Sequence, residues 1–527
     1  DNIDYLNPND IESIEILKDP SSLAIFGVKG ATGVIAITTR RAKSGQVTVN
    51  FNTSYGSKQL VDKIKLANAQ QFAELYAEEL RYSGTTDIPN IIGGANTDWI
   101  DAVTRTGHQS ISNLSLTAST DRNKLNLGVG YIYDEGIIKH QQLSRFNINF
   151  SDEFKVTQNI KVGVNLIASR QHNPYDVGNI LDDARKVVPQ IPSGTKRMRV
   201  RDLYGTPTDF VDLDLYYSLD PSLQTAGVVN PLLRLENEWN KVKNFEYRTV
   251  GSFFFDFNIT KDLNWRSTVY ADISNVNKRQ YTPAYYAYSP VFDSAVVYSP
   301  LTKVQENDDT YRKFQQDHIL TYKKKFGDHN LTATAGFTTY YFGYFGRQGT
   351  ASQSTKVGAK PIPDNERFWY INNGFQDPLS TTASSGQNEY TTVSGLARAL
   401  YNYKNKYYFN ASYRRDASSR LYRSVPSQSF WATGAAWEIS REDFFATIKD
   451  KINFLKLKGS VGVLGNQSAY NQNTGTQLDY PLYPLLSSGQ TAVFGTNVYT
   501  AADELYFPNP NLKWEQVHSH EIGLEGT

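Results

Sequence analysis

Apolar and polar residues alternate one for one through most of this chain, and that period restricts its fold more than any other feature. In "QVTVNFNTSYG" (Gln46 to Gly56), Val47, Val49, Phe51 and Tyr55 share one face of an extended strand. Thr48, Asn50, Asn52 and Ser54 share the other. Leu125, Leu127, Val129, Tyr131 and Tyr133 alternate with Asn126, Gly128 and Gly130 in the same way. Leu263, Trp265, Val269, Ala271 and Ile273 face away from Asn264, Arg266, Thr268, Tyr270 and Asp272. Later come Tyr407, Phe409, Ala411 and Tyr413, then Leu455, Leu457, Val461 and Val463 against Lys456, Lys458 and Ser460. About 14 such strands fall between Gln46 and Gly526, many of them ten residues or longer. A membrane-crossing strand takes about 9–11 residues, whereas soluble strands run about 5–6.

The connections carry a second constraint. Long ones, at Lys58–Gly107, Gln171–Asn240, Asn275–Asp309, Gly349–Asn388 and Asn466–Lys513, alternate with short ones such as "STDRN", "ITKDL", "KKFGDHN" and "YKNKY". Two connections blur the order, "DEGIIKHQ" on the long side and "REDFFATIKDKIN" on the short side. Strands that cross a membrane in opposite directions, with short turns inside and long loops outside, produce this alternation. A soluble sandwich has no reason to keep it. The fold class expected is therefore all-β, a large antiparallel transmembrane β-barrel. The 35 Tyr, 27 Phe and 7 Trp suit such a wall, and a mean hydropathy of −0.49 does not argue against it, since each strand is only half apolar. Fifty-four basic and 53 acidic residues leave a net charge of +1, which gives no case for nucleic acid. Cysteine is absent, so thiolate metal sites and disulfides are excluded. The opening "DNIDYLNPND" has neither the basic nor the apolar region of a signal peptide. "NAQQFAELYAEELRYSG" reads as one surface helix with a stripe of Phe72, Leu75, Tyr76 and Leu80, ended by Gly84.

Ahead of the alternating region stands "LKDPSSLAIFGVKGATGVIAITT" (Leu17 to Thr39), with Gly27, Gly30 and Gly33 three residues apart. A phosphate loop runs strand, glycines, helix, so that the anion meets helix N–H groups. Here Asp19 caps a short helix, the glycines follow it, and "VIAITT" closes as a strand. The helix thus turns its negative end toward the glycines, and the spacing matches no phosphate motif. Tight turns in a compact unit are the expectation.

"NPNDIESIEILKDPSSLAIFGVKGATGVIAITTRR" (Asn7 to Arg41) resembles the plug signature of SusC-like TonB-dependent outer-membrane transporters, the SusC/RagA family. "TDWIDAVTRTG", "ASYRRDASSR", "LKLKGSVGVLGNQ" and "NPNLKWEQ" resemble that family's barrel motifs, in its order. The resemblance implies a 22-stranded barrel, of which about 14 strands are present here, around an N-terminal α+β plug. It implies residues 1–45 as the rear of the plug and its linker, with Ala42–Gly45 as the joint, and 46–527 as barrel with long extracellular loops. It also implies an internal fragment, with the front of the plug and the TonB box before Asp1 and further strands after the end. The implied partners are a SusD-like surface lipoprotein, TonB with its inner-membrane motor proteins, outer-membrane lipid, and oligosaccharide or peptide cargo. The implied place is the bacterial outer membrane. An accessory barrel in a secretion or surface-assembly complex is the alternative.

No catalytic constellation stands out, so no enzyme and no cofactor is expected. His518 and His520 share a strand face without an identifiable third ligand, so no metal site is expected. Aromatic pairs in the long connections are the candidate substrate contacts: Tyr216 and Tyr217, Tyr285 and Tyr286, Trp369 and Tyr370. Ring faces with nearby hydroxyls suit sugars or peptides, and loop packing suits the same residues.

Overall fold

The computed structural model describes residues 3–527 except 4, 7, 9–10, 31–32, 40–46, 62–63, 85–93, 176–177, 207, 220–227, 357, 422–424, 449–450, 471–474, 476 and 505. The joint expected at Ala42–Gly45 lies outside the described residues. Two strands come first, β1 (Ile11–Leu17) and β2 (Val34–Thr39), separated by helix α1 (Pro20–Leu23) and a 3₁₀ segment at Ala24–Lys29. Then come β3 (Val47–Lys58), α2 (Ala69–Tyr82), α3 (Trp99–Val103), β4 (Gly107–Ser119), β5 (Asn123–Glu135), β6 (Gln142–Lys155), β7 (Ile160–His172) and α4 (Ile180–Lys186). The chain continues through β8 (Thr195–Arg201), β9 (Phe210–Tyr216), α5 (Pro231–Glu238), β10 (Val242–Asn258), β11 (Leu263–Thr282), β12 (Tyr285–Ser289) and β13 (Ser294–Ser299). Next are β14 (Lys303–Phe326), β15 (His329–Ser352), β16 (Thr382–Tyr403), β17 (Tyr407–Ser418), β18 (Ser427–Glu438) and β19 (Leu455–Asn466). Last are β20 (Ala469–Tyr470), β21 (Gln477–Leu478), β22 (Leu486–Phe494), β23 (Asn497–Glu504) and β24 (Glu515–Gly526).

Fourteen of these strands pair with their neighbours in chain order into one antiparallel sheet that runs from β3 to β24. The other strands form five two-stranded pairs. The apolar faces read from the sequence point outward: Phe51 is 66% exposed and Val269 48%, while Asp272, on the other face of β11, is 4% exposed. A soluble sheet would reverse this, burying its apolar face. Here the apolar side chains stay exposed on the outside and suit lipid, while the amides within the wall pair with the adjacent strands. The sheet curls around the N-terminal unit. Residues of that unit meet β10 at Arg248 and β19 at Leu464. Among the described residues β3 and β24 are each paired on one side, so these fourteen strands form a curved wall and do not close on themselves.

Two strands run further than alternation indicates. β14 and β15 each have 24 residues and stay in register from Lys303↔Ser352 to Phe326↔His329. The connections at Asn275–Asp309 and Gly349–Asn388 therefore shrink to residues 283–302 and 353–381. "ENDDT" is polar on both faces because a strand standing above the lipid is wet on both sides. Its backbone ladder needs no apolar face.

The long connections pack into a layer of their own. Asp98 caps α3 by accepting from the amides of Ile100 and Asp101. Trp99, Val103, Ile180, Ile191 and Leu235 then form a buried cluster, and Trp99 Nε1 donates to Val188 O at 2.9 Å. Helix α2 begins with a reciprocal capping box between Asn68 and Gln71 and lays Phe72 and Tyr76 on this cluster. Leu75, expected in the stripe, is 72% exposed instead. Ala73 and Ala77, which the apolar reading gave no weight, are half-buried on the helix.

Candidate functional site

The N-terminal unit is held in the wall at two places, the first of them a turn. Asp19 Oδ1 accepts from Ser22 N at 3.0 Å, which starts α1. The helix lasts a single turn, shorter than its sequence promised, because 3₁₀ geometry takes over and Gly27 breaks it at φ +61°, ψ −143°. Gly30 N then donates to Gly27 O at 2.9 Å, and Gly33 N to Gly30 O at 3.0 Å. Gly33, at φ +110°, sends the chain into β2. Leu23 is buried against Ala432 and Leu464 of β18 and β19, with Leu17 and Val34 beside it.

Opposite this turn, β17 presents Arg414 and Asp416, two residues apart and therefore on one face. Arg414 Nε donates to Asp416 Oδ1 at 2.6 Å, and Arg414 Nη1 donates to the carbonyl of Ile25 at 2.7 Å. Asp416 is fully buried. A Cβ on Gly27 would lie 2.3 Å from Arg414 Nε and 2.5 Å from Asp416 Oδ2, so the ion pair occupies the space that a side chain would need. A second contact lies at the start of the chain. The Arg248 guanidinium stacks 4.1 Å from the Tyr5 ring and makes a two-pronged pair with Asp272 at 2.9 and 2.8 Å. Lys313 Nζ stands 3.5 Å from the same carboxylate.

A cavity of about 980 Å³ separates the rest of the unit from the wall. Ile25, Phe26 and Ile35 line one side, and Arg266, Asp317, Thr338 and Arg398 line the other. Ile14, Ile16 and Ile35 on one face of the β1–β2 pair are 56%, 63% and 62% exposed.

Neither Arg414–Asp416 nor Tyr5 and Arg248 was singled out from sequence. The signal available for the first was "RRDAS", a cation and an anion at i, i+2 on the polar face of a strand. No local signal joins Tyr5 to Arg248.

The aromatic candidates lie in the loop layer and do not meet at one place. Tyr285 is 8% exposed, stacks on Tyr298 at 5.8 Å and donates to Glu238 Oε1 at 3.2 Å. Tyr217 meets Tyr288 edge-on at 5.0 Å, and Tyr216 and Tyr286 pack beside these clusters. The Tyr288 hydroxyl, donating to Asp293 at 2.6 Å, is pushed up to about 12 by that hydrogen bond. Trp369 is 3% exposed and stacked on Tyr281 at 5.2 Å. Tyr370 is 46% exposed, with the Arg279 guanidinium 4.1 Å from its ring. His518 and His520 project from β24 opposite Val463 and Val461. The described residues contain no group of three metal-ligating side chains.

A sheet that is apolar outside, curled around a small unit that Arg414 and Arg248 contact, has the wall-and-plug architecture of a membrane β-barrel protein. Its relatives agree. TonB-dependent receptor P3 of Formosa agariphila is 27% identical over 533 residues, matching 98% of this chain and 47% of that protein. TonB-dependent receptor SusC of Bacteroides thetaiotaomicron is 25% identical, matching 99% of this chain and 49% of that protein. Among solved structures, the RagAB peptide importer in its open-open state superimposes with a TM-score of 0.74 at 19% identity, over 99% of this chain and 56% of that one. This likeness is one of fold. No protein-family profile matches the chain. The chain is SusC-like in sequence and in fold, its homologues are receptors and not enzymes, and it spans about half the length of the curated relatives it matches.

Proposed function

We propose that this chain forms the rear of the plug (residues 1–45) and much of the wall (46–527) of a TonB-dependent importer. That importer would carry a bulky nutrient, an oligosaccharide or oligopeptide, across the outer membrane without altering it. A SusD-like surface lipoprotein would cover the long-connection side, and TonB with its motor proteins would supply work from the other. The observation that carries this reading is the seat of the Gly27 turn on Arg414 and Asp416. A wall of this width needs a stopper, and a stopper that must move needs a hold that is specific and small. One guanidinium reading one carbonyl is such a hold. Gly27, Gly30 and Gly33 then serve the plug as turns, and the exposed Ile14, Ile16 and Ile35 of its sheet belong to a larger unit. Of the aromatic candidates Tyr370 offers the most open ring to cargo, while Tyr216, Tyr217, Tyr285, Tyr286 and Trp369 stiffen the loops.

The test is uptake of labelled oligopeptides and oligosaccharides by cells that carry the whole protein. The reading predicts accumulation that stops when TonB is deleted or the proton gradient is collapsed. Accumulation that ignores both, or an intact surface-secretion defect with no uptake of either cargo, would favour the accessory-barrel alternative.

A further inference from the structure

A cleft of about 530 Å³ lies in the loop layer, away from the plug, where α4, α5, β12 and β13 meet. Its charged lining is Asp183, Arg234 and Glu238, and Tyr285, Tyr298 and Asn179 complete it. Arg234 reaches both carboxylates electrostatically, yet among the described residues it closes a hydrogen-bonded pair with neither. Glu238 instead accepts from the Tyr285 hydroxyl at 3.2 Å. Two carboxylates against one cation leave the cleft with an excess negative charge in a partly dry place. Burial pushes both carboxyls above their ordinary range, even with Arg234 pulling them down. The tyrosines do not offer the flat platform that a sugar face needs, because Tyr285 and Tyr298 stack on each other at 5.8 Å with 22° between their planes. Carboxylates in a partly dry cleft suit an ammonium group, through charge-assisted hydrogen bonds. A cleft of this volume accommodates a few residues of an extended peptide.

We propose that this cleft binds the free ammonium end of an oligopeptide, with Asp183 and Glu238 as its acceptors and Arg234 setting the potential. The proposal rests on the import reading and narrows its cargo to peptides over neutral glycans. The test is calorimetric titration of the purified protein in detergent with trialanine amide, its N-acetylated form and maltotriose. Trialanine amide should bind. Acetylation or the D183N/E238Q double variant should weaken it about tenfold or more, the loss of a charged hydrogen bond. R234M should bind the amide more tightly than the native protein, because the competing cation is gone. Damage to the fold would only weaken binding, so that variant separates recognition from misfolding. Equal binding of the acetylated peptide, tighter binding of maltotriose, no peptide binding, or weakening by R234M would overturn the proposal. None of those results would touch TonB-dependent uptake, which is measured separately.

Discussion

The Gly27 backbone is held at φ +61°, and an added Cβ would fall on Arg414 Nε and Asp416 Oδ2. Gly27→Val therefore adds a strained-backbone cost of roughly 1–3 kcal/mol to a clash with a buried ion pair. The plug turn should leave its seat while the wall stays folded. Limited proteolysis checks this: cleavage should become rapid within residues 17–39 and remain slow in β10–β19. Asp416→Ala acts from the other side. It leaves the Arg414 guanidinium without its carboxylate, a loss of about 3–5 kcal/mol for a buried pair. The same protease sites should open, and Asp416→Glu should restore part of the protection. The sequence showed that three glycines meant turns, because helix polarity and spacing excluded a phosphate loop. It could not show what fills the space above Gly27, since Arg414 is nearly 400 residues distant along the chain and only the curling of the wall brings the two together.

Strand phase was the most legible element property. Val47, Val49 and Phe51, or Leu263, Trp265 and Val269, are apolar for a reason that acts on each residue separately, so one sequence suffices to read it. Strand ends were less legible. Above the lipid both faces of β14 are wet, and the period vanishes while the ladder continues. The loop aromatics were the least legible, because packing and recognition use the same residue types. The lipid face yields a prediction: Phe253→Arg, on the outward face of β10, should cost about 2–4 kcal/mol of folding free energy in lipid vesicles if it sits near midplane. Thr268→Arg, facing the cavity on β11, should cost far less. A pH effect belongs to the short-turn rim. Glu442 accepts from Tyr407 Oη at 2.7 Å, from Lys406 Nζ at 3.1 Å and from Trp437 Nε1 at 3.1 Å. These donors, Tyr407 foremost, hold its carboxyl down at about 2 against an ordinary value of 4.5. The folded value is the lower one, so the ionised group stabilises this joint above pH 4.5 and that contribution is lost as pH falls through about 2. Hydrogen exchange in residues 439–448 should show faster opening below pH 3 than at pH 5, after correction for intrinsic rates. Glu442→Gln should abolish the difference.

For the whole molecule, the order of the wall strands followed from the loop alternation, since a meander crossing one layer has no other simple connection. The family resemblance added what periodicity could not, the unit inside the wall. Closure was not legible in the same sense, because it depends on what pairs with the outer edges of β3 and β24. The central claim is that one strand face meets lipid and the other meets the plug and its cavity. The chain lacks cysteine, so single cysteines carrying spin labels can be placed one at a time along residues 263–273 of β11 in lipid vesicles. Collisions with lipid-dissolved oxygen should rise at 265, 267, 269, 271 and 273 and fall at 264, 266, 268, 270 and 272. A profile in the opposite phase, or equal access of a water-soluble quencher to both sets, would contradict the account.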